Sequence, residues 1–234
     1  MLSIVIPVLN ESHNLPIVLN YLVVYAADPQ NLEVLIVDGG SCDDTLKIAQ
    51  EFKNVGGVTT KIINSGRGRA RQMNAGSRES SGDILYFLHA DSFPPKNFDF
   101  YILEEVNKGN PAGCFRMKFN SNHWWLKLAS YFTKFSWRVS RGGDQSQFIT
   151  RDLFEEIGGF DESYIIYEDN ILINELYARK KFVVIQEPLV SSARLYETHG
   201  VWFVQYHFLI IYIKKWLGAN AEELHAYYRK KLKK

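Results

Sequence analysis

The run Ile84-Leu85-Tyr86-Phe87-Leu88-His89-Ala90-Asp91 places an imidazole and a carboxylate directly behind five apolar residues. Five apolar residues suffice for a buried strand, and side chains two apart on extended backbone share a face. His89 and Asp91 should therefore project together from the carboxyl end of that strand. In open α/β sheets that edge is where ligands bind. A turn aspartate after a core strand is the plainer alternative, and the flanking motifs count against it.

Val37-Asp38-Gly39-Gly40-Ser41-Cys42-Asp43-Asp44-Thr45 ends a second strand and opens a helix. Its glycines let backbone approach a ligand, and Ser41 or Asp43 can cap the helix that follows. An aspartate at a strand tip can accept hydrogen bonds from a base or a ribose. The G-x-G-x-x-G fingerprint is absent, which disfavours nicotinamide chemistry. Next, Gly66-Arg67-Gly68-Arg69-Ala70-Arg71-Gln72-Met73-Asn74-Ala75-Gly76 follows a third strand. Amide N–H groups at a helix start, together with Arg67, Arg71 and Arg78 near one face, suit a phosphate or diphosphate.

These residues need a scaffold that brings them to one edge. Ile4–Leu9, Leu32–Val37, Lys61–Ile63 and Ile84–Leu88 read as strands, with helices over Leu15–Tyr25, Thr45–Phe52 and Arg69–Arg78 between them. Such β-α-β alternation predicts a mostly parallel, Rossmann-like sheet with helices on both faces. Beyond Pro95 the pattern predicts a helix at Phe98–Val106, a strand at Ala112–Phe119 and a helix over Trp124–Val139. Strands are then expected at Ser146–Thr150 and Val183–Ile185, around helices near Leu153–Ile157 and Asn170–Lys180. Terminal helices are expected at Val201–Leu217 and Ala221–Leu232. Residues 1–200 then form the α/β domain, and 201–234 a helical extension on or beside it.

Hydrophobic residues make up 46% and charged residues 23% of the chain, an ordinary globular balance. The net charge of +1 carries no global basic field for nucleic acid. Two cysteines cannot build a disulfide framework and suggest a reducing compartment. No signal peptide is apparent, and the apolar run Val201–Ile213 is too short to span a bilayer. A cytoplasmic location is expected.

Ile4-Val5-Ile6-Pro7-Val8-Leu9-Asn10-Glu11, the Asp38 and Arg71 motifs, and Leu88-His89-Ala90-Asp91 stand in the order seen in family 2 glycosyltransferases. Gly143-Asp144-Gln145, Gly158-Gly159-Phe160-Asp161 and Tyr167-Glu168-Asp169 continue the pattern. Over roughly residues 1–195 the chain resembles that family, especially a bacterial subgroup of short members. The resemblance implies the GT-A fold with C-terminal helices, and hexosyl-type transfer from a nucleoside diphosphate sugar to a hydroxyl acceptor, with inversion and a divalent metal. It places Pro7, Asn10, Glu11, Asp38, Arg67, Arg71 and Ala90 on the nucleotide and Asp91 on the metal. Asp169 is implied as catalytic base with Glu168 beside it, and Gly143, Asp144 and Gln145 on the acceptor side.

Many relatives have a first aspartate where this chain has His89. Imidazole suits softer ions than magnesium, so manganese is favoured if His89 contacts the ion; otherwise the ring only lines the pocket. Arg194 and His199, ahead of the terminal helix, either close over the diphosphate and the metal shell or lie in a surface loop. Aromatics and cations over His123–Arg138, Phe203–Trp216 and the Arg229–Lys234 tail suit a membrane interface and a lipid-linked acceptor at the inner face of the membrane. The same aromatics equally suit a core or a homodimer contact. Two other functions fit less well. A nucleotidyltransferase acting on sugar phosphates would need a glycine-rich, basic first loop, which Ser3–Glu11 lacks. A non-catalytic nucleotide-sugar-binding protein is motivated only by His89.

Overall fold

The computed structural model describes residues 1–53, 55–142 and 145–232. Its strands are β1 (Leu2–Val8), β2 (Leu32–Asp38), β3 (Thr59–Asn64), β4 (Ile84–Phe87), β5 (Ser92–Phe93), β6 (Ala112–Phe119), β7 (Gln147–Thr150) and β8 (Val183–Ser191). The helices of the first half are α1 (Leu15–Tyr25), α2 (Thr45–Glu51), α3 (Arg69–Glu79) and α4 (Phe98–Asn107). The second half adds α5 (Trp124–Phe132), α6 (Arg151–Ile157), α7 (Glu168–Ala178), α8 (Arg194–His199), α9 (Val201–Trp216) and α10 (Ala221–Lys231).

All eight strands form one sheet in the order β3-β2-β1-β4-β7-β6-β8-β5. The pairs β2/β3, β1/β2 and β1/β4 are parallel, so four carboxyl ends share one edge. β7 runs antiparallel to β4 and β6, and β8 returns parallel to β6. Every residue of β1 and β2 is buried, as expected for strands covered on both sides. Leu2, Ile4, Ile6 and Val8 pack with α1 and α4, whereas Val5, Leu35, Val37 and Phe87 pack with α3, α6 and α7. A third apolar cluster joins Phe119, Leu126 and Ile166 to Tyr196, Val204, Ile211 and Leu224 of the last three helices.

Several elements depart from the sequence expectation for local reasons. The helix starting at Trp124 stops at Phe132 rather than Val139. Thr133 pulls the chain onto β6: its hydroxyl accepts from Met117 N–H at 2.9 Å and donates to the Ser130 carbonyl at 2.6 Å. A short 3-10 turn, Arg138–Ser140, follows. β8 runs on to Ser191 because a bulge absorbs two residues: Phe115 faces Ile185, but Arg116 faces Pro188. α7 begins at Glu168, two residues early, so the acidic pair occupies its first turn. The Arg194 segment is a short helix and not a loop, and Ser92–Phe93 pairs with Ser191 and Val190.

The small residue at 76 is required by close approach. A Cβ there would lie 2.4 Å from Val5 Cγ1 and 2.9 Å from Val37 Cγ2, where α3 presses on the sheet. Gly76→Ala should therefore cost about 1–3 kcal/mol through overpacking, seen as a melting temperature several degrees lower. An unchanged melting temperature would contradict the contact. α3 also meets α7 through Arg69 Nε, 2.8 Å from the fully buried Glu168 carboxylate. Removing one partner strands a buried charge, so Arg69→Ala should cost roughly 3 kcal/mol in urea unfolding. Arg71, 3.8 Å from a substantially exposed Glu162, should cost less than about 1 kcal/mol as Arg71→Ala. Equal losses would refute the distinction.

Candidate active site

The loops after β1 and β2 are stitched together side chain to backbone. Asn10, in left-handed backbone at φ 57°, donates its N–H to Ser41 Oγ at 2.9 Å, and its Oδ1 accepts from Cys42 N–H at 2.9 Å. Glu11 N–H donates to Thr45 Oγ1 at 2.9 Å, and Ser12 N–H to Asp43 Oδ2 at 3.2 Å. The Thr45 hydroxyl bond, with the amides of Ser12 and Thr45, holds the Asp43 pKa at about 2. A depressed carboxylate adds stability above its unfolded pKa and loses it as pH falls through the folded value. The stitch is therefore intact at neutral pH.

Asp38 closes its own turn: Gly40 N–H donates to Oδ2 at 2.9 Å, and Ser41 N–H reaches Oδ1 at 3.1 Å and Oδ2 at 3.0 Å. Oδ1, which accepts only one of these bonds, still has a lone pair for another donor. The Asp38 carbonyl accepts from Ser65 N–H at 2.8 Å, which sets the loop into α3. Pro7 falls beyond the last β1–β4 pair, Val5 with Phe87, where a missing N–H is tolerated. Ala90 is buried in the core behind the edge.

Arg67 and Arg71 are exposed at the start of α3 and line a 730 Å³ cavity with Asp161, Glu162, Tyr164 and Asn220. Arg67 precedes the helix, whose first residue is Arg69. The neighbours of Arg71 in its motif are structural. Gln72 Nε2 donates to the carbonyls of Val8 at 2.8 Å and Val37 at 2.7 Å. Asn74 accepts from Phe160 N–H at 2.9 Å, and its Nδ2 donates to the Phe160 carbonyl at 2.9 Å and Glu162 Oε1 at 3.0 Å. This explains Gly158-Gly159-Phe160-Asp161: both glycines have positive φ, and the loop is clasped by Asn74.

A further charge cluster joins three distant segments. Arg194 Nη2 lies 3.2 Å from Glu11 Oε1 and 3.5 Å from Asp91 Oδ2. Partial burial opposes its charge, but the Glu11 hydrogen bond and the Glu11 and Asp91 charges outweigh it and raise its pKa. Two carboxylates thus face one cation. Magnesium-like ions commonly take one or two carboxylates and complete their shell with substrate phosphates, and this donor pair fits such an ion. Among the described residues no three His, Cys, Asp or Glu side chains gather to hold a metal. His89, Asp91 and His199 therefore do not form a triad here. His199 turns toward its own helix, with Nδ1 3.4 Å from the Leu195 carbonyl and its ring stacked on Phe203. β4 stops at Phe87, so His89, half-buried, and Asp91 follow it in a turn and not on the strand as expected.

Glu168 is committed to Arg69, and Asp169 beside it is 5% exposed in the first turn of α7. Negative charge there is favoured by the helix dipole. That turn is braced by residues with no recognisable motif. Arg138 Nη2 donates to Asn170 Oδ1 at 3.0 Å, Tyr212 Oη donates to the same oxygen at 3.2 Å, and Lys215 bonds Tyr164 Oη. Gln145 faces inward, bonding the Ser140 carbonyl at 2.9 Å. Gly143 and Asp144 lie outside the described residues.

Residues 3–167 match the family described as Glycosyl transferase family 2. "Probable glycosyltransferase YdaM" of Bacillus subtilis (strain 168) is 26% identical over 223 residues, 87% of this chain and 53% of that protein. An undecaprenyl-phosphate 4-deoxy-4-formamido-L-arabinose transferase of Proteus mirabilis (strain HI4320) is 29% identical over 131 residues, 55% of this chain and 40% of that protein. The chain thus spans about half, or less, of these curated relatives. Mannosyltransferase PcManGT from Pyrobaculum calidifontis, solved with GDP-Man and Mn2+, superposes at a TM-score of 0.69 with 18% identity, over 97% of this chain and 69% of that one. That likeness establishes the GT-A fold. With the family match over most of its length, the chain belongs to glycosyl transferase family 2.

Proposed function

We propose that this chain transfers a sugar from a nucleoside diphosphate donor to a hydroxyl acceptor, with inversion at the anomeric carbon. The observation that carries the reading is the convergence of Glu11 and Asp91 on one guanidinium at the carboxyl edge of the sheet. It gathers opposite charges beside the loop that carries Asn10. Asn10, Glu11 and Asp38 hold the nucleoside, and Arg67 and Arg71 meet the diphosphate with N–H forks. Arg194, bound to carboxylates without donor, turns to the diphosphate when one enters. A divalent ion held by Asp91, with Glu11 or His89 beside it, would supply Lewis-acid stabilisation of the departing diphosphate.

Asp169 takes the acceptor's hydroxyl proton as that oxygen bonds to the anomeric carbon and the bond to the diphosphate oxygen breaks. Glu168 acts through Arg69, fixing the first turn of α7 against α3. The hydroxyl acceptor is lipid-linked in this reading; the relative named an undecaprenyl-phosphate 4-deoxy-4-formamido-L-arabinose transferase supports the lipid part.

Asp169→Asn should lower kcat by ~10²–10⁴ and leave donor-induced thermal stabilisation intact; wild-type turnover would remove Asp169 as base. A donor found by thermal shift among UDP-, GDP- and dTDP-sugars should stabilise by roughly 2.7 kcal/mol at ~100 times its dissociation constant. With that donor, manganese should give a larger thermal shift and faster turnover than magnesium. Magnesium equal to or better than manganese at saturation would count against a His89 contact.

A further inference from the structure

The most conspicuous surface feature outside the donor site is aromatic. All five tryptophans fall in two stretches, 120–142 and 198–221. Trp124, Trp137, Trp202 and Trp216 are each more than half exposed. The stretches meet where the Trp202 ring lies 5.9 Å from Trp124 and 5.3 Å from Trp125. From there α9 carries an outward stripe of Trp202, Tyr206, Leu209, Ile213 and Trp216, at alternating spacings of four and three. Its opposite side, Val204, His207 and Ile211, is buried in the third cluster. An exposed apolar surface of this extent marks an interaction site.

Charge decides what meets it. The two stretches contain six lysines and arginines, five of them reaching solvent and Arg141 buried, and no aspartate or glutamate, in a chain whose net charge is only +1. Lys127 is exposed on α5, and Lys214 and Lys215 flank the far end of the stripe. Tryptophan at both ends, about 21 Å apart along the axis, with tyrosine between and lysine beside, suits a helix lying in a lipid headgroup layer. A helix–helix seam would favour aliphatic residues, flanked by charges of both signs. No described helix is long and apolar enough to cross a membrane, so α9 would lie along the surface.

We propose that α9 and the start of α5 form a docking face for an anionic lipid surface. The face is continuous with the candidate site: Arg194 lies eight positions before Trp202, and Tyr212 and Lys215 brace the first turn of α7 and the loop before it. Docking would bring that site to the headgroup plane, where a lipid-linked acceptor presents its polar end. This last consequence rests on the transferase reading; the docking itself does not.

The test is co-sedimentation of the whole chain with phosphatidylcholine vesicles, with and without phosphatidylglycerol, alongside tryptophan emission. Binding and a blue shift are expected with anionic vesicles, weakening with salt. The double variant Trp202→Ala/Trp216→Ala should bind roughly tenfold or more weakly while keeping its melting temperature and its response to donor. Lys127→Glu/Lys214→Glu, which leaves the apolar stripe in place, should lose the preference for anionic vesicles. Lack of binding to anionic vesicles would overturn the proposal. So would a stable dimer, detected by sedimentation, that is broken by the tryptophan substitutions. Donor binding without vesicle binding would sink the docking face and spare the transferase reading; the reverse would do the opposite.

Discussion

The site depends on the parallel alignment of β1, β2, β3 and β4, which delivers four chain ends to one edge. The ladder between β1 and β2 runs to their ends, where the Val8 carbonyl accepts from Gly39 N–H at 3.0 Å. The Gln72 amide adds a second donor to the Val8 carbonyl and one to Val37, tying both strand ends to α3 where the two loops depart. Gly39 is bound to this arrangement, since a Cβ there would lie 3.0 Å from the Gln72 amide. Gly76, one turn later, lets α3 settle close enough for the glutamine to reach. The motif around Arg71 is thus largely a device for docking a helix, and its arginine is positioned by the residues that dock it.

Electrostatics then divides the edge into two kinds of charge pair. Glu168 is fully buried and met by Arg69, so its role is to hold α7 against α3. Glu11 and Asp91 are partly open to solvent and share a long, exposed side chain at 3.2 and 3.5 Å. Burying the first pair makes it costly to disturb, whereas partial exposure lets the second exchange partners cheaply.

Legibility in the sequence followed the range of the interaction. The β-α-β half was readable because β1, β2 and β4 are buried along their whole length and α1 has an apolar stripe; β2 and α1 fall almost where periodicity put them. Asp91 and Arg71 were visible through local motifs. Arg69, Arg138, Tyr212 and Lys215 were not, because their partners lie far along the chain and no spacing rule marks them. The bulge at Phe115/Arg116 hid most of β8, since alternation is interrupted where two residues oppose none. The Thr133 hydroxyl that ends α5 acts through β6, which no helix-stop signal records.

The loop that Asn10 clasps also decides how the two thiols differ. Cys42 is exposed on that loop, with its amide held by Asn10, while Cys114 is buried beneath Arg141 and burial raises its pKa. Only the thiolate reacts readily with electrophiles. A maleimide dye added to the unmutated chain would therefore settle on the rim of the cleft alone, giving an optical reporter of loop movement without any engineering.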